Sequence, residues 1–219
     1  MNAAFALRDV TIGYGGRPVL SVSGLTISDG ERVAVVGRSG AGKSSLLRYL
    51  HGLAPGRVAL IPQDGALVRA LSVFHNIYMG QLDRHPLWYN LWTLVRPGRA
   101  EVAGVRRIAA ALGLEDKLFE PVETLSGGQQ QRTAVGRALF NGGDIVLGDE
   151  PVSAVDPHQA RSVLAALAEV HHTVVLAMHD VELALAFSDR IIGLCDGAVV
   201  LDLPSAGLTP EALAPLYRS

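Results

Sequence analysis

The chain has 219 residues, of which 49% are apolar and 18% charged, and its formal net charge is −2. This composition is typical of a globular protein with a sizeable core and excludes a disordered chain, and the near-neutral charge does not favour a nucleic acid partner. The single cysteine, Cys195, excludes an internal disulfide, no apolar run reaches the roughly 18 residues of a membrane span, and the first residues lack the pattern of a secretion signal. We therefore expect a cytosolic protein.

The first third of the chain shows strand patterns followed by a glycine-rich loop. Alternating apolar and polar residues over 4–28, interrupted by GYGGRP, predict a strand, a turn and a strand. ERVAVVG predicts a buried strand that leads into the loop, and KSSLLRYLHGL predicts the helix after it. RVALIPQ (57–63) predicts a second buried strand.

Residues 72–113 are predicted to be mostly helical, because apolar residues recur at steps of three and four. One face of this stretch would carry Trp88, Leu91, Trp92 and Val95. The favoured interpretation is that these side chains fill a small helical core. The alternative is that they form a surface for a partner.

From Gly143 onward strands and helices alternate. DIVLGD, TVVLAM and RIIGLC predict strands, helices are predicted over 157–170 and 181–187, and the Asp-Gly of CDGAVVLDL predicts a hairpin turn. This alternation predicts a mainly parallel sheet covered on both faces. The early antiparallel strands and the central helical stretch would be additions to that core.

GRSGAGKS has the form G-x-x-x-x-G-K-[ST] and lies between a predicted strand and a predicted helix. Its glycines allow backbone N–H groups to surround a phosphate without Cβ clashes. Lys43 offers an ammonium to the β- and γ-phosphates, and Ser44 offers a hydroxyl to Mg²⁺. A merely glycine-rich turn is the alternative.

Two adjacent carboxylates end the strand DIVLGDE. Asp149 suits the Mg²⁺ shell, and Glu150 suits a general base that activates water for hydrolysis. An acidic pair that caps a helix before Pro151 is the alternative.

LSGGQQQR predicts a second phosphate-binding helix start. Ser126 and Gln129 have the spacing of a capping box, and a helix start presents unpaired N–H groups and the positive end of a dipole. One small domain would then contain two such helix starts.

Together these motifs resemble the nucleotide-binding subunit of an ABC transporter, over nearly the whole chain. The resemblance implies an α/β fold: a P-loop NTPase (ABC ATPase) core with a mainly parallel sheet, a shortened N-terminal antiparallel β subdomain and a helical subdomain. It implies a single domain over 1–219. Residues of about 1–63 and 141–219 would form the nucleotide-binding core, and about 64–140 the helical subdomain with the signature motif LSGGQQQR.

The resemblance also implies where ATP and Mg²⁺ bind. In the family two subunits pack head to tail, so Ser126, Gly127, Gly128 and Gln129 would contact the γ-phosphate of ATP held by the other subunit. Within one subunit the implied ATP contacts are Gly37, Arg38, Ser39, Gly40, Ala41, Gly42, Lys43, Ser44 and Ser45, with Tyr14 and Asp156.

Individual roles follow from the same resemblance. Tyr14 would stack on the adenine, with an ordinary turn tyrosine as the alternative, and Asp156 closes the loop SAVD that communicates across the dimer. His179 would hold the γ-phosphate, although a lone histidine at a strand end is more often structural. The implied catalytic residues are Lys43, Gln63, Glu150 and His179, and the implied metal ligands are Ser44, Gln63 and Asp149.

Several stretches are similar to phosphonate-type importers, namely LVRALSVFHNIYMG, HPLWYNLWTLVRP, DRIIGLCDGAVVLD and LTPEALAPLYRS. This resemblance implies an ATPase that powers import of phosphonate or a related phosphorus oxyanion. Its partners would be membrane permease subunits, a second ATP-binding subunit and a solute-binding protein, with no nucleic acid, at the cytoplasmic face of the inner membrane. The alternatives are a soluble ABC ATPase outside transport and a regulatory module that binds ATP without hydrolysing it.

One segment departs from the family pattern. Only nineteen residues separate Lys43 from Gln63, and the shortfall lies in LHGLAPGRVAL. Relatives carry extra antiparallel strands and a short helix there. We expect less support around Tyr14 and a lower nucleotide affinity.

Overall fold

The computed structural model describes residues 2–54 and 58–217. Within these ranges the strands are β1 (Ala3–Tyr14), β2 (Arg17–Ser28), β3 (Arg32–Val36), β4 (Val58–Ile61), β5 (Ile145–Asp149), β6 (Thr173–Ala177), β7 (Arg190–Cys195) and β8 (Ala198–Pro204). The helices are α1 (Lys43–Leu53), α2 (Val73–Tyr78), α3 (Leu87–Val95), α4 (Arg99–Ala111), α5 (Gly127–Asn141), α6 (Pro157–Val170), α7 (Val181–Phe187) and α8 (Pro210–Leu213). Short 3₁₀ helices occur at Met79–Arg84, Glu115–Lys117, Val122–Thr124 and Ala214–Tyr217.

The strands form one sheet in the order β1-β2-β8-β7-β3-β6-β5-β4. Strands β7, β3, β6, β5 and β4 are parallel to one another, as the alternation of strands and helices predicts. Strands β1 and β2 form an antiparallel hairpin, which joins the rest of the sheet through the parallel pair Ser21 and Ala198. The predicted hairpin of β7 and β8 is confirmed, with Asp196 and Gly197 both at positive φ in its turn.

The core lies on both faces of the sheet. Along β3, Val33 and Val35 pack with α1, whereas Ala34 and Val36 face the opposite cluster, which contains apolar residues of α5 and α6. All four side chains are fully buried, so the strand lacks the alternation of a half-exposed strand. This two-sided burial explains the apolar run of ERVAVVG.

The prediction that residues 72–113 are mostly helical is confirmed. The stretch contains α2, a 3₁₀ helix, α3 and α4, separated by short breaks. Helices α2 and α4 pack on α5, whose last turns run beneath them. The helices predicted over 157–170 and 181–187 are confirmed at those bounds.

The interpretation of the tryptophan face as a small core is wrong. Trp88, Leu91, Trp92 and Val95 are 70%, 57%, 58% and 83% exposed. The opposite face of α3 anchors the helix, because Thr93 is buried and Asn90 bonds to the carbonyls of Leu82 and His85 and accepts from the Tyr78 hydroxyl. A periodic pattern indicates that a helix has an apolar face, but the pattern does not indicate the direction of that face.

Part of the shortened segment lies outside the described residues. Helix α1 ends at Leu53 and β4 begins at Val58, and residues 55–57 between them are not described. Arg57 of the strand predicted over 57–63 falls in this gap. The expected loss of support near Tyr14 therefore stays a prediction.

Phe74 is the largest fully buried side chain of the structure, and it packs within the core of the helical stretch. We expect Phe74→Ala to lower the free energy of unfolding by about 3–5 kcal/mol, because it removes a ring and leaves a cavity. Phe119→Ala is the matched control, since that ring is 56% exposed. Urea titration of both variants measures the difference, and equal losses would contradict the assigned core.

Candidate functional site

Four parallel strands end side by side at one edge of the sheet. The register pairs Val35 of β3 with Ala177 of β6 and Ala177 with Asp149 of β5, and Ile61 of β4 pairs with Gly148. The segments that follow these strands carry Lys43, His179, Glu150 and Gln63, respectively. Carboxyl ends of parallel strands are where open α/β sheets bind their ligands.

The glycine loop connects β3 to α1 with backbone angles that favour glycine. Gly37, Gly40 and Gly42 have φ values of 143°, 82° and 105°. A Cβ on Gly37 would lie 2.2 Å from the carbonyl oxygen of Leu194, and one on Gly42 would lie 3.2 Å from Leu20 Cβ. Backbone conformation requires glycine at all three positions, and close packing adds a second requirement at Gly37.

Lys43 is buried inside this loop. Its Nζ donates to the carbonyl oxygens of Gly37 at 2.7 Å and Arg38 at 3.1 Å. Burial lowers the pKa of the Lys43 ammonium, and the nearby carboxylates of Glu150 and Asp149 oppose that effect. The ammonium therefore lies between the loop and the acidic strand end, where a phosphate chain needs positive charge.

The loop and the strand ends line a common cavity. The residues of this cavity that were predicted to bind nucleotide are Ser39, Gly40, Gly42, Lys43, Ser44 and Ser45, and the predicted catalytic residues Gln63 and Glu150 line it as well. Ala41 instead buries its side chain in the core, and Arg38 is exposed. Ala41 can therefore contribute to phosphate binding only through its backbone.

The three predicted metal ligands line one neighbouring cavity, formed by Ser44, Gln63 and Asp149 with other residues. Asp149 is 7% exposed, and its Oδ1 has no hydrogen-bond partner among the described residues. A buried carboxylate oxygen without a partner is costly unless a cation or donor satisfies it. A hydroxyl, an amide oxygen and a carboxylate are oxygen donors of the kind that Mg²⁺ prefers, so the residues fit this ion.

Glu150 and His179 contact each other. His179 Nε2 lies 2.6 Å from Glu150 Oε1. Glu150 adopts a left-handed backbone conformation, with φ at 56°, which is strained for a residue with a side chain. Glu150 also lines the cavity that contains Lys43.

The second predicted helix start has the expected cap. Gln129 N–H donates to Ser126 Oγ at 3.4 Å, and Ser126 N–H donates to Gln129 Oε1 at 2.9 Å, which forms a capping box. Ser126 and Gln129 do not line the cavity of Lys43 within the described parts of the same chain. Both helix starts therefore exist, but within the described residues the capping pair of the second does not reach the cavity of the first. Gly127 lines a separate cavity together with Gln63 and Glu150.

Comparison with known proteins assigns the family. The family model described as "ABC transporter" matches residues 20–153, which is more than half of the chain. The chain belongs to the ABC transporter family.

Individual relatives agree with this assignment. A phosphonates import ATP-binding protein, PhnC, of Anaeromyxobacter dehalogenans is 37% identical over 99% of this chain, which spans only 48% of that relative's length. A protein of the same name from Cupriavidus pinatubonensis is 35% identical over 88% of this chain and 80% of its own length. The solved dimeric bacterial ABC transporter cassette MJ0796 is 26% identical, with a TM-score of 0.79 over 93% of this chain and 99% of the other.

Two residues implied by the ABC family lie apart from the phosphate cavity in this chain. Tyr14 ends β1 at the hairpin with β2 and is 52% exposed, and it does not line the cavity among the described residues. Asp156 is exposed and caps α6, because its Oδ1 accepts from Gln159 N–H at 3.0 Å. Helix capping alone accounts for the contact that Asp156 makes.

Two side chains of α5 contact the site and were not identified from the sequence. Gln131 bonds to the segment after β5, at Glu150, Ser153 and Ala154. Arg137 donates to the carbonyls of Gly65 and Ala66, just after Gln63. The repeated glutamines of LSGGQQQR could have drawn attention to Gln131, but the segment that Gln131 contacts lies about twenty residues further along the chain.

Gly37 tests the loop geometry. We expect Gly37→Ala to lower the free energy of unfolding by about 1–3 kcal/mol and to weaken ATP binding, because a Cβ there is strained and collides with Leu194. Gly52→Ala in α1 is the control, since its Cβ would meet open space, and alanine is favoured in a helix by up to about 1 kcal/mol. Denaturant unfolding and nucleotide titration measure both effects, and equal ATP affinity in the two variants would contradict the loop's role.

Proposed function

We propose that this chain is the ATP-hydrolysing subunit of an ABC transporter and that it powers a membrane permease. The observation that carries the proposal is the alignment of Lys43, Asp149, Glu150 and His179 at one edge of the sheet. This arrangement supplies a phosphate-binding cation, a cation ligand and a general base within one cavity system.

Each side chain has a distinct part in hydrolysis. Lys43 binds the β- and γ-phosphates and offsets their charge. Glu150 accepts a proton from the attacking water, and His179 orients the carboxylate and binds the γ-phosphate. Ser44, Asp149 and Gln63 would hold Mg²⁺, which neutralises phosphate charge when bound.

The second helix start supports a head-to-tail dimer. Ser126 and its glycines are exposed or half-exposed, and they do not line the Lys43 cavity of their own chain within the described residues. In the proposed dimer each capped helix start faces ATP held by the partner, where its N–H groups and dipole bind the γ-phosphate. The name of the solved MJ0796 cassette describes that protein as dimeric.

We infer that the transported compound is a phosphonate or a related phosphorus oxyanion, brought in through a permease and a solute-binding protein. The support is the name shared by the curated relatives, together with their 35–37% identity to this chain. No helix within residues 2–54 and 58–217 is long and apolar enough to cross a bilayer. As the ATP-hydrolysing subunit of the proposed importer, the chain would act from the cytoplasmic face, bound to the permease.

The exposed face of α3 supports a docking site for the permease. The nine residues of α3 carry no charge, its outward face contains two tryptophans, and its inward face is fixed by polar contacts. Exposed apolar surface of this kind is typical of an interaction site. It lies in the helical subdomain, which we assign to about residues 64–140, between the two parts of the nucleotide-binding core at about 1–63 and 141–219.

Glu150→Gln tests the role of the base. We expect turnover to fall by about 10²–10⁴-fold, while ATP binding and an ATP-dependent dimer persist, because the amide keeps the shape but cannot accept the proton. Asp180→Asn is the matched control, since the amide oxygen can still cap α7 as the carboxylate does. Phosphate release and gel filtration with ATP measure both properties, and rapid turnover by Glu150→Gln would exclude this residue as the base.

The two tryptophans of α3 test permease docking. We expect Trp88→Glu and Trp92→Glu to reduce co-purification with the permease by about tenfold or more, because a charge would be buried in an apolar contact. Hydrolysis by the isolated subunit should be unchanged. Val200→Glu, at a similarly exposed apolar position on β8, is the control. If both tryptophan variants recover as much permease as the control does, α3 is not the docking surface.

Tagged protein purified from detergent-solubilised membranes tests the transport assignment as a whole. Mass spectrometry should find a multi-span permease, and a co-purifying solute-binding protein should bind alkylphosphonates in preference to inorganic phosphate. Recovery without any membrane partner would favour the soluble or regulatory alternatives.

A further inference from the structure

Gln131 makes three hydrogen bonds to the segment that follows β5. Its Nε2 donates to the carbonyl oxygen of Glu150 at 2.5 Å and to Ser153 Oγ at 2.9 Å, and its Oε1 accepts from Ala154 N–H at 2.7 Å. One half-buried amide thereby satisfies three polar groups of this segment, at positions 150, 153 and 154. Both amide donors and the amide oxygen are directed at the segment that contains Glu150.

The same part of α5 lies unusually close to this segment. A Cβ on Gly128 would lie 2.6 Å from the carbonyl oxygen of Ala154, and a Cβ on Gly127 would lie 3.9 Å from Ala154 Cβ. Gly127 and Gly128 precede Gln131 by four and three positions, so all three lie on one helix face. Gly128 allows this approach, whereas a Cβ on Gly127 would make an ordinary contact, and Gln131 fixes the segment at that distance.

Glu150 needs such support because of its backbone. Its φ of 56° lies in a region that residues with side chains seldom occupy, and such a conformation persists only where the surroundings determine it. On its amino side, Glu150 N–H donates to Ala177 O at 3.0 Å. On its carboxyl side, the carbonyl is held by Gln131 and, more weakly, by Ser153 N–H at 3.4 Å.

We propose that Gln131 is a positioning residue, which holds the Glu150 backbone so that its carboxylate is directed at the attacking water. Gln131 does not touch the reacting atoms, and it acts through Glu150. The inference rests on the proposed function of Glu150 as general base. The new element is that α5, the helix that begins with the signature motif, holds the base of its own chain.

This contact has a consequence for the dimer. Ser126 caps α5 and would bind ATP of the partner's site, whereas Gln131, five residues later, holds the base of its own site. Helix α5 is continuous over both positions. Each α5 is thus a rigid connection between the two shared sites, so that closure on one ATP favours the active geometry at the other.

Substitutions of Gln131 separate positioning from folding. We expect Gln131→Leu and Gln131→Glu to lower kcat by about tenfold or more, with the KM for ATP unchanged, because each loses the donor to the Glu150 carbonyl. Gln131→Glu keeps the shape and the acceptor for Ala154 N–H but has no donor for the Glu150 carbonyl. A similar fall in kcat for both variants would therefore assign the effect to the lost donor. Gln130→Ala is the matched control, because that side chain bonds locally to Leu125 O.

Three results would overturn the proposal. They are wild-type kcat in Gln131→Glu, a rise in KM as large as the fall in kcat, and an equal fall in kcat for Gln130→Ala. The melting temperature of each variant is measured in parallel, and kcat is measured again at temperatures well below it. A wild-type kcat there would show that the loss comes from unfolding, and it would also overturn the positioning role.

Mixed dimers show which of the two sites Gln131 serves. A dimer of one Ser126→Arg chain and one Gln131→Leu chain retains one site with an intact signature and an intact base, if Gln131 acts on its own chain. Turnover should then recover to at most about a quarter of the wild-type value, because half of the dimers are mixed and each has one intact site. If Gln131 instead served the signature, both sites would be damaged and turnover would not recover.

A second mixture distinguishes this proposal from the proposed function. Ser126→Arg and Glu150→Gln chains should also complement each other, whatever the role of Gln131. Recovery in this mixture alone would overturn the positioning role and leave the shared sites intact. Failure of both mixtures would contradict the shared sites, and with them the positioning role.

Discussion

The in-register ends of four parallel strands are the constraint on which the rest of the structure depends. Val35, Ala177 and Asp149 form a continuous row of pairs across β3, β6 and β5. Each functional segment leaves the sheet at or just beyond this row, so the distances between them are fixed by backbone hydrogen bonds. A shift of one residue in any strand would direct its side chains to the opposite face, and the two-sided core prevents such a shift.

Helix α5 provides the second support of the site. Its start is capped by Ser126, its first turns contact the segment after Glu150, and its later turns hold the loop after Gln63 through Arg137. Burial lowers the pKa of the Arg137 guanidinium, and the charge of Asp64 opposes this effect. Two segments that are distant in sequence are thus fixed to one rigid element, which suits the proposed site shared between two chains.

Helix α3 shows how local sequence and tertiary position can disagree. Its apolar side chains face outward, and its polar side chains, such as Asn90 and Thr93, hold it against the protein. Such an inverted arrangement is unfavourable for an isolated domain, since it leaves apolar surface in water. For this reason we propose that α3 binds a partner, although the periodic pattern of the sequence favours a buried helical core.

The sequence alone determined the strands and helices of the second half, the glycine loop, the capped signature helix and the family. These features depend on local rules, namely alternation, turn chemistry and capping, which residues a few positions apart obey. Only the tertiary structure decided that α3 faces outward, that the Asp149 oxygen lacks a partner and that Gln131 holds Glu150. The physical reason is that burial and long-range hydrogen bonds depend on which segments meet in space, and Gln131 and Glu150 meet only because α5 packs beside the end of β5.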